Sequence, residues 1–230
     1  MFFGYGYYSY IIFMLPAIII TIFAQISVNS TFKKYSKITC FSGMSGADAA
    51  KEIINKNGLS TTIEHISGNL NDHYDPRTNV IRLSDATYSS QSVAALGVAA
   101  HEAGHAVQHS KGYFPIKIRS AIVPICNFGA RFAPLFILIG LFFNNSYLYL
   151  VGIFGFILLL LFQIVTLPVE FNASSRALKA LSVSGTLSHS ELKMARKVLT
   201  AAALTYVAAM LTSLLQVLYY ITRFSGNRRR

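Results

Sequence analysis

The run IIFMLPAIIITIFAQISV at residues 11–28 decides the class of fold. No charged residue occurs between Met1 and Phe32, and about 20 apolar residues are enough for a helix to cross a bilayer. The first charges, Lys33, Lys34 and Lys37, come after the run. A cleaved signal peptide would carry positive charge before its apolar core, so the segment reads as a retained first span whose C-terminal end lies on the cytoplasmic side. A second apolar region fills 120–167 and is broken near Asn144-Asn145-Ser146. It divides into spans of roughly 121–143 and 147–167 joined by a tight uncharged turn. Pro124 and Pro134 predict a kink in the first of these, and Arg131 is expected to snorkel or to pair inside the bundle. A last apolar run at 198–221 contains Thr205, Thr212, Ser213 and Gln216. It reads either as a fourth span or as a helix packed on the others.

Composition agrees. Hydrophobic residues make up 53% of the 230 and charged residues 13%, about half the charge of an ordinary soluble domain. The net charge of +11 does not point to nucleic acid. The basic residues cluster at 33–37, 111–119, 193–197 and 223–230, beside the apolar runs, where they act as topology and headgroup signals. Cys40 and Cys126 form neither a metal-type pair nor a disulfide framework.

Residues 38–119 read as a small polar domain. Ser45 and Asp48 form a capping pattern ahead of an apolar stripe of Ala49, Ala50, Ile53 and Ile54, and Asn57-Gly58 ends that helix. Extended stretches are expected at about 60–67 and 79–84, with the polar loop Asn69–Arg77 between them. A second helix is expected from about Ser89 to Ser110, stopped by Lys111-Gly112. The stretch at 79–84 directly precedes it and is a candidate edge for an added peptide strand.

That second helix carries VAAHEAGHAV at residues 98–107. His101 and His105, four residues apart, project from one helical face, so both imidazoles can reach one metal ion. Glu102 beside them is placed to act on a metal-bound water. The alternative is a pair of core histidines, but the flanking Ala, Val and Gly describe a buried helix without competing charge. His109 continues the row and reads as a residue of the helix end. Zinc needs a third protein ligand. Downstream, only His189, Glu170 and Glu191 offer one. Glu170 follows the third apolar run directly, where an ionised carboxylate is costly unless something binds it; a salt bridge to Arg176 is the competing account.

These features carry a specific resemblance. Asn71–Arg77, Leu83-Ser84, Val98–Gln108, Leu167–Leu178 and Ala201–Ala209 together resemble the YugP-like neutral zinc metallopeptidases, bacterial integral membrane proteins. More distantly the order of parts is similar to the heat-shock membrane peptidases and the prenyl-protein endopeptidases. The resemblance implies zinc ligation by His101, His105 and Glu170, with Glu102 as general base. Those relatives often carry an aspartate shortly after the glutamate ligand, where this chain has Asn172 and Ser174, so aspartate-mediated orientation of a histidine is in doubt.

The expected fold is mainly α, a multi-pass helical membrane protein with a small α+β zincin-like catalytic domain containing a short β-hairpin. Its expected parts are a first transmembrane segment (1–32), a catalytic domain with the zinc-binding helix (33–119) and two transmembrane helices (120–168). A return segment with the third ligand (169–197) and a fourth apolar helix with a basic tail (198–230) complete it. The expected activity is that of a membrane-embedded zinc-dependent endopeptidase of the His-Glu-x-x-His, gluzincin-like type. It would hydrolyse peptide bonds of a peptide or protein substrate through a zinc-activated water, from the cytoplasmic face of the cell membrane. Tyr206, His189, Arg176 and His73 are the candidate oxyanion donors, with Tyr206 preferred. The competing class is a zinc-binding membrane scaffold or sensor, in which Glu102 would be dispensable. The bilayer is an expected partner and nucleic acid is not; the sequence leaves the substrate and oligomeric state open.

Overall fold

A computed structural model describes the backbone of residues 2–227 and the side chains of residues 8–225. In chain order the elements are α1 (Phe2–Tyr35), α2 (Gly46–Lys56), β1 (Thr62–Ile66), β2 (His73–Asp75) and β3 (Val80–Ser84). They are followed by α3 (Val93–Ser110), α4 (Phe114–Phe142), α5 (Ser146–Val183) and α6 (His189–Asn227). The chain is mainly α with one small sheet. Four helical stretches, Tyr8–Tyr35, Phe114–Phe142, Ser146–Val183 and His189–Ser225, are long and apolar enough to cross a membrane. Arg228–Arg230, on which the sidedness of the last helix turns, lie outside the described residues.

The helices outrun the apolar stretches that announce them. α4 passes through both Pro124 and Pro134, and α5 passes through Pro168 to Val183. Proline removes one donor from the ladder but leaves the remaining turns intact. Glu170 therefore stands on the same continuous helix as the third apolar run. Arg131 is exposed on α4, which fits a side chain reaching along the helix rather than one buried in the bundle.

The chain divides into two compact units. One comprises Met1–Gln25, Ile118–Leu167 and Thr205–Arg230. Its core is Ala133, Ile137, Tyr149, Ile153, Phe156 and Val217. A Cβ on Gly155 would stand 2.7 Å from that of Ala133, so a glycine is needed where α4 and α5 approach. Ile19, Phe23, Leu138 and Phe154 are exposed on this unit, as lipid-facing side chains would be.

The other unit comprises Ile26–Lys117 and Pro168–Leu204. Its core is formed by Ile53, Ile54, Ile81, Leu83, Leu96, Leu181 and Leu199. The Ser45 hydroxyl accepts from the Asp48 N–H while the Asp48 carboxylate accepts from the Ser45 N–H, closing a capping box on α2. α3 starts at Val93, later than the sequence suggests. Tyr88, Ser90 and Gln91 use their carbonyls to accept from Ala47, Gly46 and Cys40, and Ser92 caps the helix by accepting from the Ala95 N–H. Gly112, at φ 63°, follows the C-terminus of α3.

The sheet order is β1-β3-β2. β1 runs parallel to β3, and β2 pairs antiparallel with it, so the hairpin is built from β2 and β3. β2 lies inside what reads as a polar loop. β3 is the central strand, and residues 79–84 offer no free edge for an added strand; that place is taken by β2.

Candidate metal centre

Every residue of the centre belongs to the second unit. Two helices supply it, and the packing between them explains their register. A Cβ on Gly104 would lie 2.7 Å from the carbonyl oxygen of Ala173, so only glycine lets α5 come this close to α3. That approach delivers Glu170 to the histidine face of α3. His101 Nε2 lies 3.1 Å from His105 Nε2 and 3.2 Å from Glu170 Oε2. His105 Nε2 lies 3.5 Å from the same carboxylate oxygen. The three side chains form one potential metal cluster, buried or nearly so.

The donor set fits zinc. Ligand atoms at zinc–nitrogen and zinc–oxygen lengths of roughly 2.0–2.1 Å, arranged tetrahedrally, stand about 3.3 Å apart. The three separations bracket that value. Two imidazoles and one carboxylate also leave a fourth position open, as catalytic zinc sites do.

The protonation pattern of His105 follows from its neighbours. The Gln108 amide nitrogen donates to the Val169 carbonyl at 2.8 Å and to Asn172 Oδ1 at 3.0 Å. A carbonyl can only accept, so the amide orientation is fixed and Gln108 Oε1 faces His105 Nδ1, 3.0 Å away. Nδ1–H of His105 therefore donates, and Nε2 presents its lone pair to the cluster. On the other side Ser174 Oγ lies 3.1 Å from His101 Nδ1. A hydroxyl and an amide thus contact the outer edges of the two histidines.

Glu102 is buried beside the trio. Burial pushes its carboxyl up to about 7; the His101 charge opposes this, those of Glu170 and Asp72 add to it, and the Tyr74 backbone N–H, donating to the carboxylate, opposes it. β2 therefore brings a main-chain donor to the carboxylate next to the cluster. Asp72, just before β2, is anchored by the Ser84 N–H at 2.8 Å and the Ser84 hydroxyl at 3.0 Å.

Of the candidate oxyanion donors, Arg176 is the one tied to this network. Its Nε donates to Asn172 Oδ1 at 2.7 Å, and its guanidinium stands 5.9 Å from the centre of the Tyr113 ring. It does not pair with Glu170. His73 is exposed, with Nδ1 2.9 Å from the Asn71 carbonyl, and His189 lines a separate groove with Lys34 and Lys193. Tyr206 belongs to the other unit. Glu191 is committed elsewhere, accepting from the backbone N–H groups of Phe41 and Ser188 at 2.6 and 2.7 Å. His109 is exposed in the last turn of α3, its ring edge-on to Tyr74.

Sequence reading missed the parts played by Gln108, Ser174 and Tyr74. Gln108 is three residues beyond His105, and Ser174 four beyond Glu170. Both spacings keep one helical face and were available as signals. The Tyr74 contribution is a backbone N–H and leaves no trace in side-chain identity.

A family model described as "Putative neutral zinc metallopeptidase" matches residues 10–225. A relative from Bacillus subtilis (strain 168), "Putative membrane protease YugP", is 42% identical over 220 residues, covering 95% of this chain and 98% of the relative. No solved structure matches.

Proposed function

The chain belongs to the neutral zinc metallopeptidase family, and from that premise we propose that it is a membrane-embedded endopeptidase of the His-Glu-x-x-His type. His101, His105 and Glu170 hold zinc, and Glu102 is the general base. One observation carries this reading: three ligand atoms converge at tetrahedral spacing next to a buried carboxylate that is not one of them.

Zinc, when bound, supplies Lewis acidity that polarises a scissile carbonyl and acidifies a water. The chain's own residues do the rest. The Glu102 carboxylate takes the proton of the attacking water and passes it to the leaving amine. A carboxyl held near neutrality suits a group that must both accept and release a proton. The Tyr74 N–H steadies that carboxylate, while Gln108 fixes the tautomer of His105 and Ser174 the edge of His101. Arg176 keeps a positive charge behind Asn172.

The bilayer enters through Glu170, which follows Leu167 within one helical turn on α5. With three spans before it, the basic stretches 33–37, 111–119 and 176–197 share one side, which is the cytoplasmic one by charge bias. A multi-pass arrangement with the centre on the cytoplasmic face follows, and so does a peptide or protein substrate met close to the membrane.

The test uses the full chain in detergent. Glu102→Gln should keep its zinc while proteolysis falls by roughly 10²–10⁴-fold. Undiminished proteolysis in that variant contradicts the role of Glu102. A native chain that binds zinc and cleaves nothing supports the scaffold reading instead.

A further inference from the structure

A groove of about 460 Å³, lined by Lys34, Tyr35, His189, Lys193, Met194 and Lys197 among others, opens between the end of α1 and the start of α6. His189, Lys193 and Lys197 form a single row at four-residue spacing. Lys193 and Lys197 are therefore like charges one turn apart on one face, an arrangement that destabilises a helix. Lys34, from the other helix, adds a third ammonium; its Nζ lies 5.6 Å from the centre of the Tyr35 ring. Among the described residues none of the three lysines has a carboxylate partner. The one nearby acid in the sequence, Glu191, spends its two oxygens on the backbone N–H groups of Phe41 and Ser188. The fold thus gathers uncompensated positive charge into one concavity and keeps the local carboxylate out of it.

We propose that this groove binds the phosphate headgroup of an anionic phospholipid. Two features favour a lipid over a soluble anion. Lys34 stands two residues past Phe32, where the charge-free run of α1 ends, and Lys197 directly precedes the apolar run of α6 that begins at Val198, so both ammonium groups stand where apolar helix gives way to water. Basic pockets at that level are suited to headgroups. The groove is also only partly polar. Tyr35 is buried and Met194 half-buried, giving an apolar floor for the glycerol and first methylenes beneath the phosphate. None of these residues belongs to the metal centre, so the proposal stands apart from the peptidase reading.

The test is the thermal unfolding of the full chain in dodecyl maltoside micelles. Micelles are doped with phosphatidylglycerol or phosphatidylcholine, or left undoped with inorganic phosphate added. Phosphatidylglycerol should raise the midpoint by several degrees in a saturable way, and phosphatidylcholine should not. The triple variant Lys34→Gln, Lys193→Gln, Lys197→Gln should lose that shift. A charge-matched control, Lys51→Gln, Lys117→Gln, Lys179→Gln, should keep it. Equal shifts in both variants would show general charge attraction and overturn the site. A shift of the same size from inorganic phosphate alone would overturn the lipid assignment. Native mass spectrometry of the unaltered chain stands independently of how the variants fold. One phosphatidylglycerol should be retained under activation that strips phosphatidylcholine, and equal loss of both lipids contradicts the proposal.

Discussion

Replacing Glu102 with glutamine should stabilise the metal-free protein, and should do so only at neutral and alkaline pH. The Glu102 carboxyl is moved from 4.5 to about 7 by burial, against the opposing charge of His101 and with the charges of Glu170 and Asp72 adding to it. An acid whose folded pKa exceeds its unfolded one binds more protons when folded between the two values. Its contribution is full below about 4.5, declines as pH rises to about 7, and stays lost above that. At about 1.4 kcal/mol per pH unit, the interval corresponds to on the order of 3 kcal/mol. Glutamine has nearly the same shape and cannot ionise, so it escapes the penalty. At roughly 2–4 °C per kcal/mol for a chain of this length, the difference is about 6–12 °C. The assay is thermal unfolding in detergent with a chelator present, for the native chain and Glu102→Gln at pH 5 and pH 8. The two should nearly coincide at pH 5 and separate at pH 8, with the glutamine variant higher. A gap of the same size at both pH values, or a variant less stable at pH 8, would refute the reasoning.

Two further substitutions probe the supports of the centre. Gly104→Ala adds a Cβ where the Ala173 carbonyl stands 2.7 Å away; forcing the helices apart should cost about 1–3 kcal/mol and weaken zinc binding, and an unchanged affinity by competitive chelation would show that the close approach does not position Glu170. Gln108→Leu removes the acceptor of the His105 Nδ1–H, and zinc affinity should fall about 10–100-fold, whereas an unaltered affinity would mean that the tautomer of His105 is set elsewhere.

Much of the fold was legible because its largest feature is written in composition. Apolar runs at 11–28, 120–167 and 198–221, carrying Arg131 as their one charge, have few fates other than apolar helix. Their ends were less legible. α5 continues past Pro168 to Val183 because Ala173, Ala177 and Leu181 in its second half are buried, a tertiary gain that no local propensity reports. β2 is three residues long and exists only through its pairing with β3, so nothing in its sequence separates it from a loop. In the centre, His101, Glu102 and His105 were announced by helical spacing. Glu170 was suggested by the cost of a carboxylate at the end of an apolar run. The alignment of the two helices, and the amide and hydroxyl behind the histidines, depend on how α3 meets α5 and could be recognised only once Gly104 and Ala173 were seen in contact.

The central claim is that one zinc is shared between α3 and α5. Elemental analysis of the purified full chain, native and Glu170→Ala, measures this most directly. One zinc per native chain and a fraction of that in Glu170→Ala, with both proteins still folded, is the predicted result. Full zinc occupancy in Glu170→Ala at unchanged affinity would contradict it.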